Sequence, residues 1–250
     1  MAKRGVETRT FFIPMHEHGI VRPRAAAQIA ASMRRAVRGL FAKLSPPSPS
    51  YSDGRTMRAL VRKHAGTGRV LDLGAGARRL APGVVSADLN RASRPTVVCD
   101  AVALPFSAVA FDLVVSTALL EHCPDPHAVV REMHRVLRAG GEVYAEIPFL
   151  QGFHPDPADY QRYTVLGIER LFSGFETTRV GVCVGPSSAL AWMLGKYAAT
   201  WFDTVWLARA VEGIGRWVTF PLKYLDALLQ HKRQAHTLAS ALYFWGRRTD

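Results

Sequence analysis

Apolar and polar residues alternate along residues 54–148 in a pattern typical of short buried strands separated by helices. Five apolar runs predict strands at residues 69–73, 84–87, 96–99, 111–116 and 142–147. Amphipathic spacing predicts helices at residues 54–65 and 127–138, with Gly140 and Gly141 capping the second helix. Strands that alternate with helices in this way indicate a parallel α/β sheet.

The C-terminal third has a different character. The pattern there predicts a helix at residues 164–172, a strand at 177–184 and a last strand at 238–245. Four of the five tryptophans, Trp192, Trp201, Trp206 and Trp217, fall between those two strands. We therefore expect an aromatic helical insertion at residues 186–236, with no membrane-spanning helix of roughly 20 apolar residues.

The N-terminal region is basic. Residues 22–43 place apolar side chains at helical spacing with arginines between them, and residues 44–53 form a linker rich in proline and serine. This helix is expected to pack on the domain, to contact an anionic membrane surface or to bind RNA. The chain then divides into a basic extension (1–53), a core (54–185), the insertion (186–236) and a final strand with a tail (237–250).

Charge and cysteine content narrow the class of protein. The 32 lysines and arginines exceed the 20 acids, but residues 1–50 hold nine basic and only two acidic side chains, so the basicity peaks outside the core and argues against a nucleic-acid partner. Three widely spaced cysteines exclude a disulfide framework and a cysteine zinc site. Without a secretory pattern at residues 1–21, we expect a cytoplasmic protein with peripheral membrane contact.

The candidate ligand site begins where the first strand runs into Gly74-Ala75-Gly76. Glycines there let a ligand approach the backbone closely. Arg79 stands where a nicotinamide dinucleotide fold requires a third glycine, which argues against a dehydrogenase. Asp88 and Asp100 follow the next two strands. Such acids suit a ligand with a ribose, an exocyclic amine and a positive charge.

Residues 70–148 resemble the class I S-adenosylmethionine-dependent methyltransferases, in particular the small-molecule branch that includes the quinone-biosynthesis type. The resemblance rests on residues 72–76 (Asp-Leu-Gly-Ala-Gly), Asp88, 100–106 (Asp-Ala-Val-Ala-Leu-Pro-Phe), 111–115 (Phe-Asp-Leu-Val-Val), 120–122 (Leu-Glu-His), Glu132, 135–137 (Arg-Val-Leu) and 140–141 (Gly-Gly). It implies a doubly wound seven-stranded α/β sheet with the last strand antiparallel, and S-adenosylmethionine as the cofactor.

The resemblance also implies roles for individual residues. Gly74 and Gly76, with Ala75, would flank the methionine part of the cofactor, and Asp72 would lie near its ammonium group. Asp88, followed by Leu89, would hold the ribose hydroxyls. Asp100 and Ala101 would contact adenine, and Thr117 and Leu119 would border the sulfonium.

The acceptor is expected to face the loops after the fourth and fifth strands. His154 is the first candidate for a base that removes a hydroxyl proton, with Asp156 or Asp159 to orient it, and His122 is the second. A scaffold role is the alternative for both histidines. His154, Asp156 and Asp159 could also ligate a divalent metal, but we predict no metal site. Arg162 is expected to pair with Asp159.

These features favour a methyltransferase that acts on oxygen of a sugar, glycolipid or secondary metabolite, with a small-molecule or lipid-linked glycan as acceptor. An RNA methyltransferase is one alternative, and the net charge of +12 is its support. A non-catalytic adaptor that retains the fold is the other. The sequence leaves the oligomeric state open.

Overall fold

A seven-stranded mixed sheet organises the computed structural model, which describes residues 54–66 and 68–250. The strands are β1 (Val70–Leu73), β2 (Val85–Asp88), β3 (Val97–Val98), β4 (Phe111–Thr117), β5 (Leu137–Pro148), β6 (Phe175–Val184) and β7 (Ala241–Arg248). The helices are α1 (Arg55–His64), α2 (Pro126–Val136), α3 (Val165–Leu171), α4 (Pro186–Ala199), α5 (Val205–Thr219) and α6 (Asp226–Leu229). The predicted N-terminal helix and linker lie outside the described residues.

The strand order is β3-β2-β1-β4-β5-β7-β6. β1 pairs in parallel with β2 and β4, whereas β7 runs antiparallel to both β5 and β6. The predicted seven-stranded sheet with an antiparallel last strand is therefore confirmed. α4, α5 and α6 lie between β6 and β7, where the aromatic insertion was predicted.

The core covers both faces of the sheet. Leu71, Leu73 and Val114 belong to one buried cluster, whereas Leu113 and Val115 belong to the other. Side chains that alternate between the two clusters explain why β4 contains the unbroken apolar run Leu113-Val114-Val115. Among the described residues, the connections from β1 to β4 contain turns and one 3-10 turn but no α-helix, so the helical layers are thinner there than the sequence pattern suggested.

Several predicted boundaries are wrong. Gly140 and Gly141 do not cap a helix, because α2 ends at Val136 and the chain enters β5 directly at Leu137. Gly140 has a φ of 70° within β5, where the pairing with β4 is irregular. The last strand begins at Ala241 instead of residue 238, because a 3-10 turn over Ala235–Thr237 comes first.

α2 shows how the sequence places the loop after β4. The Asp125 side chain accepts a hydrogen bond from the Ala128 N–H (2.9 Å), and Pro126 occupies the first helical turn. Both residues are favoured at those positions. Val129 and Met133 then bury one face of the helix in the core. The start of α2 is thereby fixed close to the carboxyl end of β4.

Candidate active site at the carboxyl edge of the sheet

The glycine turn after β1 combines a tight contact with open space. Gly74 and Gly76 have φ values of 69° and 50°, which side chains other than glycine rarely adopt. A Cβ atom added at Gly74 would lie 2.9 Å from Leu119 Cβ, whereas one at Gly76 would meet nothing within 4 Å. The turn therefore packs against the loop after β4 and leaves the space above Gly76 free.

Asp88 closes one side of this open space. Its Oδ2 accepts the Gly76 N–H at 2.7 Å, and its Oδ1 accepts the Asn90 N–H at 2.7 Å. Each carboxylate oxygen can accept a further hydrogen bond. Leu89 leaves 68% of its surface exposed beside this carboxylate. Asp88 thus offers acceptors for two hydroxyl groups, and Leu89 provides an apolar surface next to them.

The loop after β3 adds a second acid at the same edge. Asp100 is exposed, and its Oδ1 accepts the Val102 N–H at 3.1 Å. Ala101 is buried in the core below it. Val98 pairs with Asp88 across β2 and β3, so the two predicted cofactor acids follow neighbouring strands. Their placement agrees with the sequence interpretation, and their roles stay predictions.

Asp72 and Thr117 differ from their predicted environment, because Arg78 connects them. Arg78 binds both carboxylate oxygens of Asp72, at 2.5 Å through Nη2 and 3.2 Å through Nε, and also donates to Thr117 Oγ1. Burial raises the pKa of Asp72, although Arg78 opposes this shift. The sequence interpretation placed a ligand's ammonium group near Asp72, but here the guanidinium of Arg78 takes that position. Sequence reasoning considered Arg79 and missed Arg78.

His154 is held in one orientation by the loop after β5. Its Nδ1 lies 2.9 Å from the Gly152 carbonyl oxygen, which can only accept, so Nδ1 carries the proton. Arg162 Nη2 is 3.2 Å from the same nitrogen, but it donates to Asp159 at 2.6 Å, so the shorter contact to Gly152 decides the tautomer. In a neutral imidazole with this tautomer, Nε2 of His154 carries the lone pair.

Asp159, and not Asp156, contacts His154. The Asp159 Oδ2 accepts the His154 backbone N–H at 2.9 Å and lies 3.7 Å from Nδ1. The hydrogen bonds from Arg162 hold the pKa of Asp159 well below its usual value. Asp156 is exposed, and its catalytic role stays a prediction. The expected pair between Arg162 and Asp159 is present.

His122 and Glu121 lie beside His154. The two imidazole rings meet edge to face with their centroids 5.6 Å apart, and His122 Nδ1 donates to the Ala158 carbonyl. Glu121 is fully buried, and neither of its carboxylate oxygens has a hydrogen-bond partner among the described residues. Burial raises the pKa of Glu121. Sequence reasoning did not single out Glu121 for chemistry.

These three residues form a compact cluster of potential ligands. One ligand atom each from Glu121, His122 and His154 lies within 4.8 Å of the other two. Carboxylate and imidazole groups at such separations could hold a divalent cation. Of the three residues that the sequence suggested as metal ligands, His154, Asp156 and Asp159, only His154 belongs to this cluster.

The insertion reaches this site through α4. The Trp192 indole meets the His154 ring edge to face at a centroid distance of 5.9 Å. A Cβ atom added at Gly152 would lie 3.0 Å from Trp192 Nε1, so the helix packs closely on the loop after β5. The insertion therefore borders the candidate acceptor region.

Two surface cavities lie apart from this edge. One of about 330 Å³ is bordered by His127, His134 and Phe175, and one of about 560 Å³ by Arg55, Arg179 and Arg233. None of the predicted cofactor residues borders either cavity. The chemistry of the strand ends, and not cavity size, identifies the candidate site.

Comparison with known proteins relates part of this chain to methyltransferase domains. Residues 53–145 match a methyltransferase domain family. The ubiquinone biosynthesis O-methyltransferase of Pseudomonas paraeruginosa is 39% identical over 59 residues, which is 24% of this chain and 23% of the relative's length. The alignment thus spans about a quarter of the length of each of these curated relatives.

Two solved structures share the fold. A methyltransferase-like protein from Bacillus halodurans is 14% identical and superposes with a TM-score of 0.51 over 78% of this chain and 98% of its own. The [4+2]-cyclase SpnF is 16% identical, with a TM-score of 0.50 over 78% of this chain and 80% of its own. At this level of identity the likeness concerns the fold alone.

The residues at the carboxyl edge fit S-adenosylmethionine at its nucleoside side. The free lone pairs of Asp88 suit a ribose diol, and the space above Gly76 admits a ligand against bare backbone. At the amino-acid side of the cofactor, the ammonium group can contact Asp72 only if Arg78 shares this carboxylate or moves away from it. Residues 53–145 are thus similar to a methyltransferase domain family, and the strand order of the sheet is the one expected for a class I S-adenosylmethionine-dependent methyltransferase.

Proposed function

We propose that this protein is an S-adenosylmethionine-dependent O-methyltransferase whose acceptor is a hydroxyl group of a sugar, a glycolipid or a secondary metabolite. The bound cofactor supplies an electrophilic methyl group, and the protein supplies position, exclusion of water and removal of the acceptor proton. The observation that carries the proposal is the fixed tautomer of His154, which keeps the Nε2 lone pair available.

Proton removal matters because an alcohol is a weak nucleophile. A neutral imidazole can accept the hydroxyl proton while the new bond to carbon forms. The Asp159 carboxylate lies 3.7 Å from Nδ1 of His154, so it would stabilise the imidazolium that results. Arg162 keeps Asp159 ionised and in place. The loop after β5 therefore provides a base together with the group that orients it.

Two further observations support an oxygen acceptor with an apolar portion. The curated relatives that match part of the chain are named O-methyltransferases. Trp192 and the exposed Phe153 border the loop that carries His154, and aromatic side chains suit the faces of sugar rings or lipid-linked groups. A lipid-linked glycan combines a hydroxyl group with such an apolar portion.

The test uses His154→Ala with His127→Ala as the matched control, because His127 is an exposed histidine on α2. We expect His154→Ala to lower methyl transfer to a hydroxyl acceptor by about 10²-fold or more. Its affinity for S-adenosylhomocysteine in calorimetry should stay unchanged, and the control should retain both properties. Mass spectrometry of the product of labelled cofactor and fractionated glycan and lipid extracts identifies the methylated atom.

Two results would contradict the proposal. Full turnover of His154→Ala at neutral pH would remove His154 as the base. Correctly folded wild-type protein that gives no heat with S-adenosylhomocysteine would favour the adaptor.

A further inference from the structure

α4 presents large apolar side chains to the solvent on one face. Leu190, Met193, Leu194 and Tyr197 are between 42% and 63% exposed, and they recur at the spacing of a helical stripe. The residues that α4 buries are small, namely Ser187, Ser188, Ala189, Ala191 and Gly195. A surface helix in water normally shows the opposite distribution.

α5 repeats the same arrangement. Trp206, Ile214 and Trp217 recur at the spacing of a helical stripe and are 70%, 64% and 46% exposed. Between the two helices lie small and polar groups. A Cβ atom added at Gly215 would lie 3.1 Å from Gly195 Cα, which shows how closely the backbones approach.

Two further contacts between α4 and α5 are polar. Lys196 Nζ lies 3.1 Å from Glu212 Oε1, and Thr219 Oγ1 donates to the Ala191 carbonyl at 3.2 Å. Helices with small residues inside and large apolar residues outside are typical of an apolar surrounding. We call α4 and α5 with their outward apolar stripes the helical hairpin.

The exposed apolar surface is concentrated in and just after the helical hairpin. Of the 23 large apolar side chains that are exposed among the described residues, fifteen lie within residues 190–229. Contiguous apolar surface on this scale marks a site of interaction. The helices are too short to cross a bilayer, since 14 and 15 residues span roughly 21–22 Å against a hydrocarbon core of roughly 30 Å. No helix within residues 54–66 and 68–250 is long and apolar enough to do so.

We propose that the helical hairpin docks on an anionic membrane surface, with both helices lying in the plane of the lipid interface. Residues 186–236 hold six lysines and arginines against three acids, and Arg209, Lys232 and Arg233 are exposed. Most of this excess follows the helical hairpin, at Lys223, Lys232 and Arg233 against Asp226. Positive charge there and at Arg209 on α5 is attracted to anionic headgroups. Tryptophan and tyrosine side chains prefer the boundary between headgroups and acyl chains.

The docking goes beyond the proposed reaction and does not depend on it. It also has a consequence for the acceptor. Trp192, on the opposite side of α4 from the apolar stripe, contacts His154, so the membrane surface would lie about one helix diameter (~10 Å) from the candidate base. A lipid-linked acceptor could then reach His154 while its apolar portion remains in the membrane.

The test measures flotation of the full chain with two kinds of vesicle, phosphatidylcholine alone and phosphatidylcholine with phosphatidylglycerol. We expect binding to the anionic vesicles, a blue shift of tryptophan fluorescence, and weaker binding at high salt. The double variant Trp206→Glu/Ile214→Glu should lower the partition coefficient at least about tenfold, because two apolar side chains would no longer be buried in lipid. Leu166→Glu on α3 is the matched control, since Leu166 is 75% exposed outside the hairpin, and its partition should stay within about twofold of the wild type.

Several results would overturn the proposal. The first is a wild-type protein that floats with neither kind of vesicle, and the second is a double variant that binds as well as the wild type. The third such result is an equal loss of vesicle binding in the double variant and in Leu166→Glu. A wild-type dimer in analytical ultracentrifugation that the double variant dissociates, without vesicle binding by either, would assign the helical hairpin to a second copy instead. Circular dichroism and calorimetry with S-adenosylhomocysteine verify folding, and quenching of wild-type tryptophans by brominated lipids reports insertion without any variant.

Discussion

Glu142 and Glu121 are both buried glutamates, but they lie toward opposite ends of the parallel strands and differ in their partners. Glu142 on β5, which pairs with Leu113 near the start of β4, accepts hydrogen bonds from Lys63 (2.6 Å), His64 (2.7 Å) and Trp245 (3.2 Å). Glu121, after β4, has no hydrogen-bond partner for either carboxylate oxygen among the described residues. A buried acid with a full set of hydrogen-bond partners stabilises the fold, whereas one without hydrogen-bond partners costs free energy and suggests a function.

The two ends of the sheet show the same difference at other acids. At the amino end, Asp112 accepts the Arg69 N–H at 2.5 Å and binds Arg138 at 2.6 Å. At the carboxyl end, Asp88 has two backbone partners and free lone pairs beside the open space over Gly76. Parallel α/β sheets bind ligands outside the carboxyl ends of their strands, and this chain keeps its incompletely satisfied acids at that end.

The largest expected effect is on stability at the amino end. Glu142→Ala should lower the free energy of unfolding in urea by about 3–5 kcal/mol at pH 7, because it removes one partner of a buried charged network. Burial alone would raise the pKa of Glu142, but the hydrogen bonds from Lys63 and His64 outweigh it and hold the pKa below the usual 4.5. The stabilisation is therefore present above pH 4.5 and is lost as the pH falls through the lowered pKa.

Glu176→Ala is the control for this prediction, because Glu176 is exposed on β6. We expect its effect to stay within about 0.5 kcal/mol. Equal stability of Glu142→Ala and the wild type would show that the network at the amino end does not hold the sheet together, and the comparison of the two ends would fail.

The next effect is on cofactor affinity at the carboxyl end. Asp88→Ala should weaken binding of S-adenosylhomocysteine by about 1–3 kcal/mol, since hydroxyl groups of the ligand would lose their acceptors. Isothermal titration calorimetry measures this change, and Glu169→Ala on the exposed side of α3 is the control. Unchanged affinity for Asp88→Ala would remove the ribose assignment.

The sequence predicted the parts of the structure that depend on neighbouring residues. The glycine turn at Gly74 and Gly76 and the acid after β2 follow from a short local pattern, and the structure places them together because parallel strands end at one edge. The aromatic insertion was likewise visible in its composition. Its inverted polarity was not, because the pairing of Gly195 with Gly215 is a contact between two helices.

Contacts between distant residues explain what the sequence did not predict. Glu142 lies 78 positions from His64 and 103 from Trp245, so no local pattern announces their network. Arg78 was missed for another reason. The glycine turn brings Arg78 back to the buried Asp72, six positions earlier, and the two form a bidentate pair that helix or strand spacing does not predict.

The smallest expected effect concerns Glu121 and has the opposite sign to that of Glu142. Burial raises the pKa of Glu121, so above pH 4.5 the unfolded chain ionises this carboxyl more readily than the folded chain does, and the folded state loses stability. Glu121→Gln removes this penalty. We expect it to increase the free energy of unfolding by on the order of 1 kcal/mol at pH 8 and by nothing measurable below pH 4.5.

Urea unfolding of wild-type protein and Glu121→Gln at several pH values measures this difference. A difference that grows with pH, together with reduced methyl transfer, would show that the Glu121 carboxyl lowers the stability of the fold but is needed for activity. Such a trade-off between stability and activity is expected where function needs an unsatisfied charge. Glu121→Gln that destabilises the protein equally at all pH values would mean that this carboxylate has structural partners after all. Glu121 would then be a structural residue like Glu142, and the difference between the two ends of the sheet would not hold for these glutamates.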